Sequence, residues 1–250
     1  MPYGMYISAE GAQAQAKRME VIANNLANVN TPGYKRDVAT FQARFAEAID
    51  QGVVTPGDGG QEDLGGGVMT HGVRTDFSLG ALQHTGIETD MVIAGEGFFQ
   101  IATDRGNMLT RAGNFTLSPT GQLETQSGDL VLGAGGGPIT IDPTLGPWQV
   151  NGEGAIEQAG VITPLAIVRP RSLGDLVKVG ENLFSPLGDV APVPQAERKV
   201  RSGFLEMSGT NATTSMMEMI ETSRAFEANM KLIQNQDHVM GQLIGRVLGS

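Results

Sequence analysis

Hydrophobic and small residues recur every three or four positions at both ends of the chain, and this spacing predicts a long helix at each end. The N-terminal stripe comprises Met5, Ala9, Ala12, Ala16, Met19, Ala23 and Leu26. The C-terminal stripe comprises Met216, Met219, Ser223, Phe226, Met230, Ile233, Asp237, Met240, Ile244 and Val247. Because isolated helices are marginal in water, both segments must gain stability from packing. The pattern therefore predicts that the two helices pair in a coiled-coil-like layer.

Local signals place the ends of these helices and the segment that follows the first. We expect the first helix from about Tyr3 to Asn28, because Pro32 cannot continue a helix and Gly33 permits a turn. Asp37 to Asp50 has apolar residues on one helical face and is expected to form a short second helix. Residues 51–67 are rich in glycine and read as a connector. The pair Ser215 and Glu218 has the spacing of a capping box that opens the last helix.

The middle of the chain has a different pattern, with short apolar runs separated by turn residues. Met91 to Ile93 and Phe98 to Ile101 are strand candidates, and Asp104 to Asn107 is typical of a hairpin turn. Such spacing predicts a compact antiparallel β domain. The fold class is therefore α+β, with paired terminal helices and a central antiparallel β-rich domain. The expected divisions are 1–36 (helix and turn), 37–67 (short helix and connector), 68–204 (β-rich domain) and 205–250 (C-terminal helix).

Composition narrows the classes of function. The formal net charge of −10 argues against a nucleic-acid partner, because phosphate binding needs a concentrated basic surface. The chain has no cysteine, which excludes disulfides, thiolate nucleophiles and Cys-ligated metals. No apolar run is long enough to span a bilayer. The N-terminus also lacks a cleavable signal pattern, so we expect no membrane insertion and no signal-dependent secretion.

The two stripes differ in the size of their side chains. Alanine dominates the first, so a partner helix could approach closely, whereas the second offers large Met, Phe and Ile side chains. Other apolar residues of the C-terminal helix lie off its stripe: Met217, Ile220, Leu232, Val239 and Leu243. One partner helix cannot cover them all, which indicates a second partner surface. The alternative is an intramolecular helix pair lying on the β domain.

An enzyme is the competing class of function, with Glu88, Asp90 and Glu96 as the nearest carboxylate candidates for a hydrolase. Acid–base chemistry needs two carboxylates held at a set distance with separated pKa values, and sequence spacing alone does not show this. His71, His84 and His238 are far apart in sequence and lack metal-ligand spacing. We therefore predict no catalytic, cofactor-binding or metal-binding residues, and no cofactor.

Three segments carry a resemblance to a known family. Ala23 to Arg36 (ANNLANVNTPGYKR) closely resembles the N-terminal signature of the bacterial flagellar axial proteins, which include rod, hook and hook-associated components. Asp90 to Ile101 (DMVIAGEGFFQI) resembles the β-domain signature shared by rod and hook proteins. Ser223 to Lys231 (SRAFEANMK) resembles the motif of their C-terminal helix. The chain is most similar to proximal rod proteins, with distal rod or hook-type subunits as the alternative.

This resemblance implies a structural subunit of the flagellar basal-body rod, the drive shaft that crosses the periplasm. The terminal helices would line an inner tube and the β domain would form an outer layer. The implied partners are further copies of the chain, other rod subunits and the flagellar type III export apparatus, which exports such proteins without a cleaved signal peptide. The expected assembly interface comprises Met5, Ala9, Ala12, Ala16, Met19, Ala23, Asn24, Asn25, Leu26, Met216, Met219, Phe226, Met230, Ile233, Met240 and Ile244. Ser118-Pro119 departs from the family pattern, where an Asp-led turn is usual.

Overall fold

Both terminal helices are present in the computed structural model, which describes residues 3–43 and 65–248. The first helix, α1, runs over Tyr3–Ala27, and the second, α2, over Ala212–Leu248. After α1, the amide of Thr31 donates to the carbonyl of Asn28 (3.2 Å) in the turn that contains Pro32. The predicted end of the first helix is therefore confirmed to within one residue.

The start of α2 differs from the sequence prediction. The side-chain oxygen of Asn211 accepts a hydrogen bond from the amide of Thr214 (3.1 Å), which makes Asn211 the N-cap. The expected capping box at Ser215 and Glu218 is wrong, because Ser215 lies inside the first turn and is buried. Asparagine is as good an N-cap as serine, so two cap signals competed in this segment.

The predicted second helix is also wrong in the part that the structure describes. Asp37–Ala43 form strand β1, which pairs antiparallel with β2 (Val68–Thr75). Val38, Thr40 and Phe41 favour extended backbone, and pairing with β2 supplies their backbone hydrogen bonds. Residues 44–50 of the predicted helix, and 51–64 of the predicted connector, lie outside the described residues.

The chain divides into two compact units. The helical unit consists of the described residues of Met1–Ala27, Asp37–Asp76 and Thr210–Ser250, and contains α1, α2 and the β1–β2 pair. The β unit consists of Asn28–Arg36 and Phe77–Gly209. The structure thus groups β2 with the helices, whereas the sequence pattern assigned it to the β-rich domain.

Short strands build the β unit. In chain order they are β3 (Leu82–His84), β4 (Met91–Ile93), β5 (Phe98–Thr103), β6 (Gly106–Thr110), β7 (Thr116–Leu117), β8 (Leu123–Glu124), β9 (Leu130–Val131), β10 (Trp148–Val150), β11 (Ala155–Gln158), β12 (Val161–Pro164), β13 (Ile167–Pro170), β14 (Leu176–Gly180), β15 (Leu183–Pro186), β16 (Val190–Pro192), β17 (Val200–Ser202) and β18 (Phe204–Glu206). Short 3₁₀ turns lie at Pro143–Leu145, Leu173–Asp175 and Gln195–Glu197.

The strands of the β unit pair antiparallel. The largest sheet has the order β14-β15-β6-β5-β9-β8-β7, and β13 joins β5 and β16. A smaller sheet has the order β10-β11-β12, and β17 pairs with β4 and β18 with β3. The predicted hairpin is present, with Thr103 opposite Gly106. The expectation of an antiparallel β-rich centre between two terminal helices is confirmed.

Two hydrophobic clusters form the core of the β unit. The larger one contains Met91, Ile101, Leu123 and Leu165, none of which is measurably exposed. The smaller one is built on Phe98, Leu109, Val168 and Phe184. Phe77 contacts both Phe98 and Phe184 edge-on or tilted, at ring-centroid distances of 5.9 and 5.4 Å.

Candidate assembly faces and the signature segment

The two long helices of the helical unit contact each other along a line of small and polar residues. A Cβ placed on Gly4 would lie 3.0 Å from Nε2 of Gln236, and one placed on Gly11 would lie 3.2 Å from Oδ1 of Asn229. Gly4 precedes Gly11 by seven residues, and Asn229 precedes Gln236 by seven, so the helices run antiparallel. Glycine allows the two backbones to approach closely at both points.

The residues buried along this contact differ from much of the predicted stripes. Ser8, Ala12, Ile22 and Asn25 are buried on α1, and Ser215 and Thr222 are buried on α2. Within the predicted interface set, Ala12 and Asn25 are buried, while Met5, Met19, Leu26, Met219, Phe226 and Ile233 are partly buried. The others are exposed: Ala9, Ala16, Ala23, Asn24, Met216, Met230, Met240 and Ile244. Half of the predicted interface set is therefore exposed in the single subunit.

The exposed side of α2 carries many large apolar residues among charged ones. Met217, Ile220 and Val239 are each more than half exposed, and Leu232 and Leu243 are about half exposed. Leu232, Val239 and Met240 also line a shallow cavity of about 250 Å³. Exposed apolar residues at this density on one helix mark an interaction site.

Two hydrogen bonds from Asn25 connect the C-terminal end of α1 to β1. Its Nδ2 donates to the carbonyl of Asp37 (2.7 Å), and its Oδ1 accepts from the amide of Asp37 (2.8 Å). The carboxylate of Asp37 accepts in turn from Oγ1 of Thr75 on β2 (2.8 Å). The buried asparagine of the signature segment therefore sets the start of the β1–β2 pair.

The rest of the signature segment (Ala23 to Arg36) belongs to the β unit, where Gly33 lies against the backbone of Arg111. Gly33 has φ +66°, a conformation that L side chains rarely adopt, and a Cβ there would lie 2.5 Å from the backbone of Arg111. Its amide donates to the carbonyl of Glu206 (2.7 Å). The carbonyl of the preceding Pro32 accepts from Nδ2 of Asn182 (2.7 Å). Only glycine fits this position.

Lys35 and Glu206 form an ion pair that is almost wholly buried, with 1% of each side chain exposed. Nζ of Lys35 also donates to the carbonyl of Ser78 (2.8 Å), and the same carboxylate oxygen of Glu206 accepts from the amide of Gly80 (2.8 Å). The pair therefore joins the signature segment to β18 and to the strand-free stretch before β3. Sequence reasoning missed it, because the partners are 171 positions apart.

Arg111 completes this buried cluster, which we call the Glu206 cluster (Lys35, Arg111 and Glu206). Its NH1 and NH2 donate to the carbonyls of Ile93 (2.9 Å) and Gly95 (2.7 Å), and NH1 lies 3.7 Å from Oε2 of Glu206. Burial lowers the pKa of the Arg111 guanidinium, and the negative charge of Glu206 opposes that shift. Two buried cations thus depend on one buried carboxylate.

The chain enters or leaves the β unit at residues 28, 36, 77 and 209. The contacts described above bring the stretches next to residues 36 and 77 to Glu206, which itself lies just before residue 209, and the amide of Gly209 donates to the carbonyl of Tyr34 (2.9 Å). The Glu206 cluster therefore connects, within the β unit, three of the four stretches at which the chain crosses its boundary.

The carboxylates considered for a hydrolase do not converge on a shared acid–base site. Glu88 is exposed in a turn, Asp90 is buried next to β4, and the side chain of Glu96 is 86% exposed beside Arg169 (3.6 Å). In the described part of the chain, no group of three acidic or histidine side chains is close enough to hold a metal ion. No helix in that part is long and apolar enough to cross a membrane.

Comparison with known proteins identifies the family. Residues 5–35 match the family described as flagella basal body rod protein, 92–158 the D1 domain of the flagellar hook protein FlgE/F/G, and 201–246 the C-terminal region of the flagellar basal body rod FlgEFG proteins. These ranges contain the third of the segments that carried the resemblance in the sequence, and all but one or two end residues of the other two.

Full-length relatives agree with these matches. The chain is 33% identical to the flagellar basal-body rod protein FlgF of Caulobacter vibrioides, over 99% of this chain and 98% of that protein. It is 32% identical to FlgG of Bacillus subtilis (96% and 97%) and 31% identical to FlgF of Rhizobium meliloti (100% of both). The chain belongs to the flagellar basal-body rod protein family, resembles FlgF with FlgG as the next candidate, and is a structural protein of the basal body, not an enzyme.

Proposed function

We propose that this rod subunit assembles through its two terminal helices, which form a coiled-coil-like inner layer of the rod. The observation that carries the proposal is the apolar side of α2, which faces away from α1. Met216, Ile220 and Met230 are exposed there, although each would be stabilised by burial. A neighbouring subunit that covers this face would supply that burial.

The exposed alanines of α1 offer a matching surface. Ala9, Ala16 and Ala23 recur every seven residues on the exposed side of the helix. Small side chains there would admit the methionine and isoleucine side chains of another helix. Methionine suits contacts with slightly different neighbours, because its side chain is flexible and polarizable. The proposed interface therefore retains the predicted residues that are exposed in the single subunit.

In this arrangement the terminal helices belong to the inner tube and the β unit is the outer layer. The proposed position is the proximal part of the periplasmic rod, with the distal part as the alternative. The proposed partners are other copies, further rod subunits and the flagellar type III export apparatus, which would export the chain without a cleaved signal. Non-closing contacts between such copies generate a helical lattice.

The experiment replaces Met230 by aspartate in cells that lack the native gene. We expect Met230→Asp to fold normally, because the residue is 38% exposed in the single subunit, and to block rod assembly, because a charge would be buried in the interface. Electron microscopy of basal bodies would show structures arrested within the rod, and the height of arrest separates a proximal from a distal position.

Thr213→Asp is the matched control, because it adds the same charge to the first turn of α2, where the helix dipole favours it. Cells with this variant are expected to swim and to build complete rods. Complete basal bodies with hooks in the Met230→Asp strain would contradict the proposed interface.

A further inference from the structure

The β unit carries a groove of about 680 Å³. The proposed interface between terminal helices does not use it. Phe77, Leu79, Phe98 and Leu173 give it an apolar lining, and Leu79 and Leu173 are each 49% exposed. A groove of this size could enclose two or three apolar side chains of a partner. Exposed leucines beside a concave surface indicate that something covers them.

Three arginines and one glutamate, Glu96, line the groove, although the chain as a whole is acidic. Arg171 lies on the lining, is exposed and makes no ion pair with any residue in the described ranges. Arg169 is already shared between Glu197 (3.1 Å) and Glu96 (3.6 Å). The buried guanidinium of Arg111 lies 5.2 Å from the centroid of the Phe98 ring. The occupant that fits best presents apolar side chains together with a carboxylate.

The same unit presents such a surface on the β11–β12 hairpin. Val161 and Ile162 on β12 are 64% and 60% exposed, and Ile162 lies directly opposite Glu157 on β11. Cross-strand neighbours have Cβ atoms about 4.5–5.5 Å apart, so an isoleucine and an exposed carboxylate stand side by side. The two-residue turn, Ala159 and Gly160, has positive φ at both positions (49° and 83°), as a tight hairpin requires.

This hairpin is also anchored firmly. Ile156 and Ala155 of β11 are buried in or beside the large core of the β unit, and Gln158 is buried with its Nε2 donating to the carbonyl of Asp142 (2.6 Å). The exposed apolar pair therefore projects from a rigid base and loses little conformational freedom on binding.

We propose that the β11–β12 hairpin of one copy docks into the arginine-rimmed groove of a second copy. Ile162 would cover the apolar lining, and Glu157, which lies beside it on the same face of the hairpin, would pair with Arg171. Since hairpin and groove are different patches, the contact is heterologous and leaves one of each open for the next copy, as a helical lattice requires. The proposal rests on the proposed assembly function and gives it a second interface, which is independent of the terminal helices.

The absence of cysteine permits a direct test with the purified full-length chain. One variant carries Ile162→Cys and a second, of different mass through an affinity tag, carries Leu173→Cys. A short bismaleimide linker is expected to join the two variants when they are mixed, and to give at least roughly tenfold less product from either variant alone.

Leu117→Cys is the control partner for Ile162→Cys, because Leu117 is also exposed but lies on β7, outside the groove. Equal cross-linking of Leu117→Cys and Leu173→Cys would overturn the proposal, as would no cross-linking at Leu173. Repeating the reaction in the Met230→Asp background separates the two interfaces: the hairpin–groove product is expected to persist when helix-driven assembly is lost.

Charge reversal tests the pairing itself. Arg171→Glu in the groove copy, or Glu157→Arg in the hairpin copy, is expected to reduce the cross-linked product by roughly tenfold, since like charges would face each other. Combining Arg171→Glu in one copy with Glu157→Arg in the other is expected to restore it. Unchanged product in the single reversals, or no restoration in the pair, would overturn the assignment of these residues.

Discussion

The two units differ in how they bury large apolar residues. In the β unit, side chains such as Phe184 and Leu123 have no measurable exposure, although others such as Ile162 remain exposed. In the helical unit, the two helices approach each other at glycines, and Met217 and Ile220 of α2 are more than half exposed. Within the described residues, the large apolar side chains that are fully buried lie in the β unit, and much of the apolar surface of the helical unit is available to neighbouring subunits.

Buried polar atoms without a hydrogen-bond partner occur in both units. In the β unit, Glu206 accepts bonds from Lys35 and from the amide of Gly80, but Nε of Arg111 and Oε2 of Glu206 have no hydrogen-bond partner within the described residues. In the helical unit, the same is true of the Oε1 atoms of Gln15 and Gln236. Such atoms destabilise a structure. The two units therefore differ in the ion pairs that fix the chain around Glu206, and not in freedom from unsatisfied polar atoms.

The largest expected effect comes from Glu206→Gln, which removes the only carboxylate of the Glu206 cluster. Lys35 and Arg111 would lose the buried carboxylate that they share, and breaking a buried pair in this way costs about 3–5 kcal/mol. We expect urea unfolding of the β unit to show a loss of free energy of this size.

Glu96→Gln is the control, because Glu96 also lies near an arginine but its side chain is 86% exposed. This variant should change the free energy of unfolding by less than about 1 kcal/mol. A similarly small change for Glu206→Gln would show that the Glu206 cluster contributes little to the free energy of unfolding of the β unit.

A smaller effect is expected from Gly33→Ala. The substitution combines the strain of positive φ with a Cβ 2.5 Å from the backbone of Arg111. Gly136→Ala isolates the first factor, since Gly136 has φ +79° and open space around it. We expect Gly33→Ala to lose about 1–3 kcal/mol more unfolding free energy than Gly136→Ala. Equal losses would mean that the signature segment is not closely packed against the β unit.

The sequence predicted the features that depend on local periodicity. The 3.6-residue spacing predicted both helices, and the short apolar runs predicted strands β4 and β5 to within two residues. The second predicted helix failed because its apolar spacing also suits a strand, and the partner that decides the matter, β2, begins 25 residues after β1 ends. Tertiary pairing overrides local preference in such segments.

The candidate site could be predicted only in part. The signature segment was identified by resemblance, but the role of Lys35 was not, since Glu206 lies far along the chain. The close approach of the two helices was not predicted either. Ala12 of the predicted set is buried and Phe226 is partly buried, but the position of Gly11 opposite Asn229 could not be derived from the spacing of apolar residues. Periodicity gives a stripe, but it does not say which partner that stripe faces.

The smallest expected effect tests whether buried polar groups at the contact between α1 and α2 lower the stability of the helical unit. Gln236→Leu removes a buried carbonyl oxygen that lacks a partner and should raise the stability of the helical unit by about 1 kcal/mol. Gln234→Leu makes the same substitution two positions earlier, at an exposed site of α2, and shares any gain in helix propensity. Thermal unfolding followed by circular dichroism at 222 nm compares the two. A higher unfolding temperature for Gln236→Leu alone would confirm that the buried carbonyl oxygen of Gln236 limits the stability of the single subunit. Equal unfolding temperatures for the two variants would show that the helices gain nothing from an apolar side chain at this contact.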